Sequence, residues 1–484
     1  MIWQKHKSFE KIILFTFMLL PTLAISLNLD NDFWFLLNHG KYILENGFPI
    51  VEPFTIHNDF SFIIQQWLFD VIVCFLYTYF GKVGVMALIY ITALFVVYFI
   101  YKLCMLMSNN SFYLSVLLTT YSYLLLCMWF MVSRPQIITY MLLLIELLSL
   151  ETYIRNEKWY YLVPLPLVSL ALINCHASMW WLSFAFLLPY VIETVRIKWF
   201  GLNPISLKKM PIYVTTGLML IMGLVNPYGY KAISYIFTSF GNDDINYSIL
   251  EMAVPDVKTL NGAIYYITIA FIVSCYLLNR KGQIKLRYIL LALGTCLLSL
   301  MSIKSIPYLL IGAFIPLSYN LKNIGDKLVF KENSKHIVSL ISVFIVLIYL
   351  ASFFVIVRDY DASKDFPETK DAIEYLKENT NEKSVCLYTG FFDGGYAEYK
   401  GFKTYIDARA EVFLESNNKQ KDVFSEYISL QNGSIHYQEF LSTYSFTHIL
   451  VTKTDVLNVY LSSDDDYTIF YEDDKSKIFM HRNS

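Results

Sequence analysis

Charge is what this 484-residue chain has least of: Asp, Glu, Lys and Arg make up 16% of it, against roughly 25% in an average soluble protein. Cysteine is present but builds no framework. Six of the seven (Cys74, Cys104, Cys127, Cys175, Cys275 and Cys296) lie in or beside apolar runs, and only Cys386 falls in the last quarter. No two have the spacing of metal ligands or of a disulfide scaffold, so they read as buried apolar fillers. Internal repeats and low-complexity linkers are absent too. A basic flank, Lys5 to Lys11, precedes an apolar run to about Leu27. No small-residue cleavage site stands before the polar Asn28–Asp32, so this run reads as an uncleaved first span rather than a signal peptide.

What is abundant is apolar surface. The chain is 56% hydrophobic, with a mean hydropathy of +0.45. That excludes disorder and argues against a purely soluble enzyme. The charges are also unevenly spread. Residues 1–357 hold 24 Lys+Arg and 17 Asp+Glu, whereas residues 358–484 hold 14 and 23. Two bodies follow, an integral membrane region over 1–357 and a soluble acidic domain over 358–484. An acidic tail argues against a nucleic-acid partner.

A membrane span needs about 20 mostly apolar residues. Runs of that kind cover roughly 11–27, 84–106, 112–131, 136–152, 159–173, 177–195, 211–225, 262–278, 286–303, 306–320 and 337–356, eleven in all. A twelfth stretch, Trp67–Phe80, is apolar but short and contains Asp70. Lys and Arg accumulate in short cytoplasmic loops, and that rule sets the orientation. With the N-terminus inside and Trp67–Phe80 not crossing, eighteen Lys and Arg of the membrane region face the cytoplasm and six face out. If Trp67–Phe80 crosses, the split becomes eight against sixteen. The first arrangement makes Trp67–Phe80 a re-entrant or interfacial helix and puts the acidic tail outside a multi-pass cell-membrane protein.

The tail reads as mixed α/β. Pro367–Asn379 has helical spacing through Ala372, Ile373 and Leu376. Ser384–Tyr388, Lys403–Ile406, His448–Thr452 and the Thr468–Phe479 region read as short strands, the last split by a turn at Glu472-Asp473-Asp474-Lys475.

Under this orientation unusual polar residues collect on the outer side. They are Asp30, Asp32, His39 and Glu52 in the first loop, Arg134 in the second turn, and Asn174 and His176 in the third. Asn226, Tyr228 and Glu251 belong to a long fourth loop, and Lys304 to the last. Each has a plain structural reading as well. The aspartates suit a solvated loop, the histidines suit satisfied structural positions, and Asn226-Pro227 suits a helix end. Trp180 and Trp181 fit an interfacial aromatic belt. Arg134 and Lys304 resist such readings. Each is isolated in sequence among apolar residues, on the side where positive charge is disfavoured.

The motifs resemble those of bacterial GT-C-type membrane glycosyltransferases, and of one polytopic branch in particular. The first loop carries Asp30-Asn31-Asp32-Phe33-Trp34, Gly40, Gly47-Phe48-Pro49 and Glu52-Pro53-Phe54. There follow Trp67-Leu68, Arg134-Pro135-Gln136, Asn174-Cys175-His176, Asn226-Pro227-Tyr228-Gly229 and Lys304-Ser305-Ile306-Pro307. The tail adds Gly394-Gly395-Tyr396 and Tyr405-Ile406-Asp407-Ala408-Arg409-Ala410. No single motif is specific, but the ordered series covers nearly the whole chain. It departs in having Gln65-Gln66 where such proteins often show His-Glu, and Ala408 where they show Gly.

The resemblance implies a GT-C-like polytopic helical fold with a small C-terminal α/β domain. It also implies a polyprenyl-phosphate-linked sugar as donor and an envelope acceptor at the outer face, among membrane lipids. Asp30 or Asp32 would supply the general base that takes the acceptor proton. Arg134 and Lys304 would hold the leaving phosphate. His39, Asn174, His176, Asn226 and Tyr228 would line the substrate site. Carboxylates at i and i+2 point the same way in an extended loop, so Asp30 and Asp32 also suit a divalent cation. A polyprenyl monophosphate leaves little charge for a metal to offset, which favours a site with no metal or cofactor. Two rivals stand beside the transferase. One is a lipid-linked sugar transporter or flippase, which should show paired halves with broken helices. The other is a non-catalytic scaffold for envelope assembly.

Overall fold

The computed structural model describes residues 11–195 except 13, 208–239, 248–278, 285–325 and 360–482, with isolated positions between them. The chain folds into two compact units that are not contiguous in sequence. A helical unit takes residues up to Leu27, Met86–Asn226 and Ile249–Tyr360. A mixed unit takes Asn28–Val85, Pro227–Ser248 and Asp361–Ser484. The acidic tail expected from 358 onward therefore does not form a unit by itself. It shares a core with the first loop and with part of the fourth.

Among the described residues, four helices are long and apolar enough to cross a membrane: Trp67–Met107, Phe112–Trp129, Gln136–Asn156 and Leu260–Leu277. Five shorter apolar helices accompany them, from Leu14–Ala24 to Leu286–Met301. The expected span at 306–320 is helical, with a π-helical segment, Leu310–Phe314, between the helical turns Ile306–Leu309 and Leu317–Asn320. Pro307 and Pro316 start the two turns, as expected of a residue lacking a backbone donor. The expected span at 337–356 lies almost wholly outside the described residues. Eleven full-length spans are thus more than the described helices supply.

Trp67–Met107 is two helices joined at Gly81, whose φ of 59° and ψ of −153° interrupt the helical backbone. A left-handed φ suits glycine, which has no Cβ to clash. The break separates the expected short element from the span behind it, and the boundary between the two units falls four residues further on.

The helical unit carries a buried ionic cluster. Arg287, at the start of Leu286–Met301, donates from Nε to Glu151 Oε1 and from Nη1 to Glu193 Oε2, both at 2.8 Å. Tyr190 and Tyr288 each donate to Glu151 at 2.9 Å. Arg287 is 4% exposed. Three helix ends are drawn together by one guanidinium.

In the mixed unit the described strands form a five-stranded sheet of order β2-β1-β3-β5-β4. The strands are β1 Cys386–Tyr388, β2 Lys403–Thr404, β3 His448–Thr452, β4 Tyr467–Glu472 and β5 Ser476–His481. β1 runs parallel to β2 and β3, and β5 runs antiparallel to β3 and β4. The β4–β5 hairpin turns where the Asp-rich segment was read. The helix Lys370–Asn379 buries Ala372, Ile373 and Leu376. The first loop joins this sheet region directly, for Thr55 bridges to Thr404.

Candidate functional site

The Asp-rich turn of the first loop precedes the helix Phe33–Asn46. Asp30 Oδ1 accepts the Asp32 N–H at 3.1 Å, and the Asp30 carbonyl accepts that of Phe33 at 3.0 Å. Both aspartates are half-buried. Their turn is held from the tail by Asp365, which accepts the Leu29 N–H at 2.9 Å. Asp365 sits in no motif that sequence reading singled out. Among the described residues no three or more His, Cys, Asp or Glu side chains are grouped to hold a metal.

His39 follows in the same helix, and here the loop and tail motifs meet. Gly40 makes the approach possible, because a Cβ there would stand 2.3 Å from the Asp70 carbonyl oxygen. His39 Nδ1 lies 2.9 Å from Asp70 Oδ2, and Nε2 lies 3.1 Å from Arg409 Nη1. A guanidinium only donates, so Nε2 accepts and the ring proton sits on Nδ1, facing Asp70. Burial and the Arg409 charge hold the imidazole pKa well below its ordinary value. Both ring nitrogens are thus engaged inside the protein.

Arg409 is the centre of this cluster. It donates from Nε to both Asp407 oxygens at 2.8 Å and from Nη2 to Glu52 Oε1 at 2.9 Å, with Glu398 at 3.6 Å. The rings of Phe54 and Phe62 cover it at 5.2 and 5.4 Å. Glu52 Oε2 in turn accepts the Phe54 and Thr55 N–H groups at 3.0 and 2.8 Å. Burial and the neighbouring Asp407 push Glu398 well above the usual carboxylate range. Asp407 moves the other way: burial raises it, but the Arg409 charge together with the hydrogen bonds from Arg409 and Glu398 outweighs burial. Glu52, Asp407 and Arg409 were all in quoted motifs, but only the fold shows that they are one network.

A second group lies in the helical unit. Arg134 is not the lone cation its sequence setting suggests: Nη1 pairs with Glu251 Oε2 at 2.7 Å. The Glu251 turn is itself tied to the Lys304 turn, since Ile303 N–H donates to the Ala253 carbonyl at 3.0 Å. His176 Nδ1 bonds Thr139 Oγ1 at 2.8 Å. Burial, aided by the Lys304 charge, lowers the His176 pKa to about 3. Asn174 donates from Nδ2 to the Leu170 and Val225 carbonyls at 2.8 and 2.9 Å, and Asn226 to Gly223 at 2.9 Å. Arg134, His176 and Lys304 are thereby linked in one region, with Glu251 as a member that sequence reading left in a loop.

The division between units falls inside Asn226-Pro227-Tyr228-Gly229. Tyr228 belongs to the mixed unit, where its ring meets Phe48 at 6.0 Å. Burial raises its hydroxyl pKa to about 12.

No family profile and no curated protein sequence matches the chain. Its structure does have counterparts. The oligosaccharyltransferase AglB of Archaeoglobus fulgidus, solved in complex with an inhibitory peptide and a dolichol-phosphate, superposes with a TM-score of 0.61. That match covers 92% of this chain and 70% of the other at 10% identity. An oligosaccharyltransferase of Archaeoglobus fulgidus tethered with an acceptor peptide gives 0.56, covering 92% and 69% at 10% identity. The chain shares the fold of this oligosaccharyltransferase. ArnT from Cupriavidus metallidurans, bound to undecaprenyl phosphate, also matches, at a TM-score of 0.45 and 9% identity over 97% of both chains.

Proposed function

We propose that this GT-C protein is a membrane glycosyltransferase that moves a sugar from a polyprenyl-phosphate carrier to an envelope acceptor at the outer face. The observation that carries this reading is the fold shared with AglB over 92% of the chain, in a structure that includes a dolichol-phosphate.

The residues meet the chemical demands separately in each unit. In the mixed unit, Asp30 or Asp32 takes the proton of the acceptor hydroxyl as its oxygen bonds to the anomeric carbon. The bond from that carbon to the phosphate oxygen breaks, and the electron pair leaves on the polyprenyl phosphate. In the helical unit, Arg134 and Lys304 receive that phosphate, and a fixed guanidinium suits it by its planar fork. Asn174 and Asn226 shape the turns around them, and His176 stays neutral and uncompetitive for the anion. In the mixed unit Tyr228 offers a protonated hydroxyl to the substrate, and His39 supports the loop through Asp70 and Arg409. The step needs no cofactor. The orientation that puts both groups outside follows from the charge split of the loops.

Binding of undecaprenyl phosphate to the purified protein in lipid nanodiscs tests the reading. Arg134→Ala and Lys304→Ala should each weaken it about tenfold or more, and the double variant should lose less than the product of the two, as for groups sharing one phosphate. Unchanged affinity in both single variants contradicts the assignment.

A further inference from the structure

Asp365 carries none of the chemistry assigned so far, yet it grips the catalytic turn at both ends. Its Oδ1 accepts from the Leu29 N–H and from Asn28 Nδ2, each at 2.9 Å. Its backbone carbonyl accepts from the Trp34 indole N–H at 3.0 Å. Asp30 and Asp32 lie between those points. The other carboxylate oxygen pairs with Lys82, the residue directly after the Gly81 break. The clamp itself is rigidly presented. Asp365 closes the 3₁₀ turn Ala362–Asp365, capped by Asp361, whose side chain accepts the Ser363 N–H at 2.9 Å. Next to it Phe366 stacks on Trp34, with ring centroids 5.2 Å apart.

We infer that Asp365 is a positioning residue, which sets the carboxylates of Asp30 and Asp32 from the acidic tail. The tail is then a working part of the catalytic turn rather than a separate binding module. The inference rests on Asp30 or Asp32 acting as base. A buried carboxylate that accepts backbone and amide N–H groups makes stronger bonds than a neutral acceptor. Without them the turn loses its charged acceptor from the tail, and displacement of a reacting group by about 1 Å can cost roughly 10²-fold in rate.

Residue-resolved hydrogen exchange on the full-length protein in nanodiscs tests the clamp. Asp365→Ala should speed exchange of the Leu29, Asp32 and Phe33 amides about tenfold or more, with β3 and β5 amides within about twofold of wild type. Asp365→Asn keeps an acceptor oxygen and should stay near wild type in the turn. With undecaprenyl-phosphate mannose as probe, Asp365→Ala should lower kcat for release of undecaprenyl phosphate by roughly 10²-fold. Its Kd for undecaprenyl phosphate should hold, and Asn should restore most of the rate. Unchanged turn amides overturn the inference, and so does loosening of turn and sheet together, which marks a purely structural residue. If Asp30→Asn and Asp32→Asn both keep full turnover, the base reading fails and with it the positioning role, while the exchange data still report the clamp.

Discussion

Arg287 in the helical unit and Arg409 in the mixed unit are both buried arginines ringed by carboxylates, and they settle excess negative charge differently. Arg287 faces Glu151 and Glu193, and two tyrosine hydroxyls donate to Glu151. Arg409 faces Asp407, Glu52 and Glu398 and also donates to a neutral His39. There burial and the neighbouring Asp407 push Glu398 well above the usual carboxylate range. Neither arginine is reachable. Arg134 differs from both, because its partner Glu251 is 49% exposed and the pair borders solvent. A cation with an exposed, exchangeable partner can accept a ligand anion. One sealed among buried carboxylates holds the fold.

The largest expected effect separates those two classes. Removing one partner of a buried ion pair leaves uncompensated charge and costs about 3–5 kcal/mol. Arg409→Met and Arg287→Met should each lose stability on that scale in denaturant titrations, Arg409 more so because three carboxylates are stranded. Arg134→Ala should cost under about 1 kcal/mol, as for a solvent-bordering pair. Equal losses in all three would erase the distinction.

The aspartates should show the reverse pattern, with rate lost and stability kept. Asp30→Asn or Asp32→Asn should slow transfer by ~10²–10⁴-fold, the usual worth of a general base, with one of them dominant. Melting should stay near wild type. Turnover within a few-fold of wild type in both variants removes the assignment.

Protonation gives a third, smaller effect. The His176 pKa is depressed to about 3 in the folded protein, so between there and its ordinary value of 6.5 the unfolded chain binds a proton that the native one does not. Stability from this group is therefore full above 6.5 and falls by about 1.4 kcal/mol per pH unit below it. His176→Gln should flatten the stability profile between pH 6.5 and 5 relative to wild type. An unaltered slope would mean that His176 titrates normally.

The smallest effect sharpens the reachable class. Glu251 occupies the Arg134 fork, so an incoming phosphate has to exchange with it. Glu251→Gln should tighten undecaprenyl phosphate binding a few-fold at low ionic strength, about 1 kcal/mol or less. Weaker binding would make Glu251 part of the lipid site instead.

Local features were legible in the sequence. The short helix before Gly81, the Ala372–Leu376 helix and the β4–β5 hairpin all follow from periodicity and turn residues near one another. The loop and tail motifs were visible as well, but not their convergence. That Glu52, His39 and Arg409 share one network depends on contacts more than 350 residues apart. Asp365 was missed because its Ala-Ser-Lys-Asp surroundings carry no chemical pattern; its role comes wholly from what it touches.

A structure of the full-length protein in nanodiscs with undecaprenyl phosphate bound tests the central claim most directly. The transferase reading predicts the phosphate within hydrogen-bonding distance of the Arg134 guanidinium and the Lys304 ammonium, with Glu251 released from Arg134. A phosphate bound elsewhere, with the Arg134–Glu251 pair intact at 2.7 Å, would contradict it.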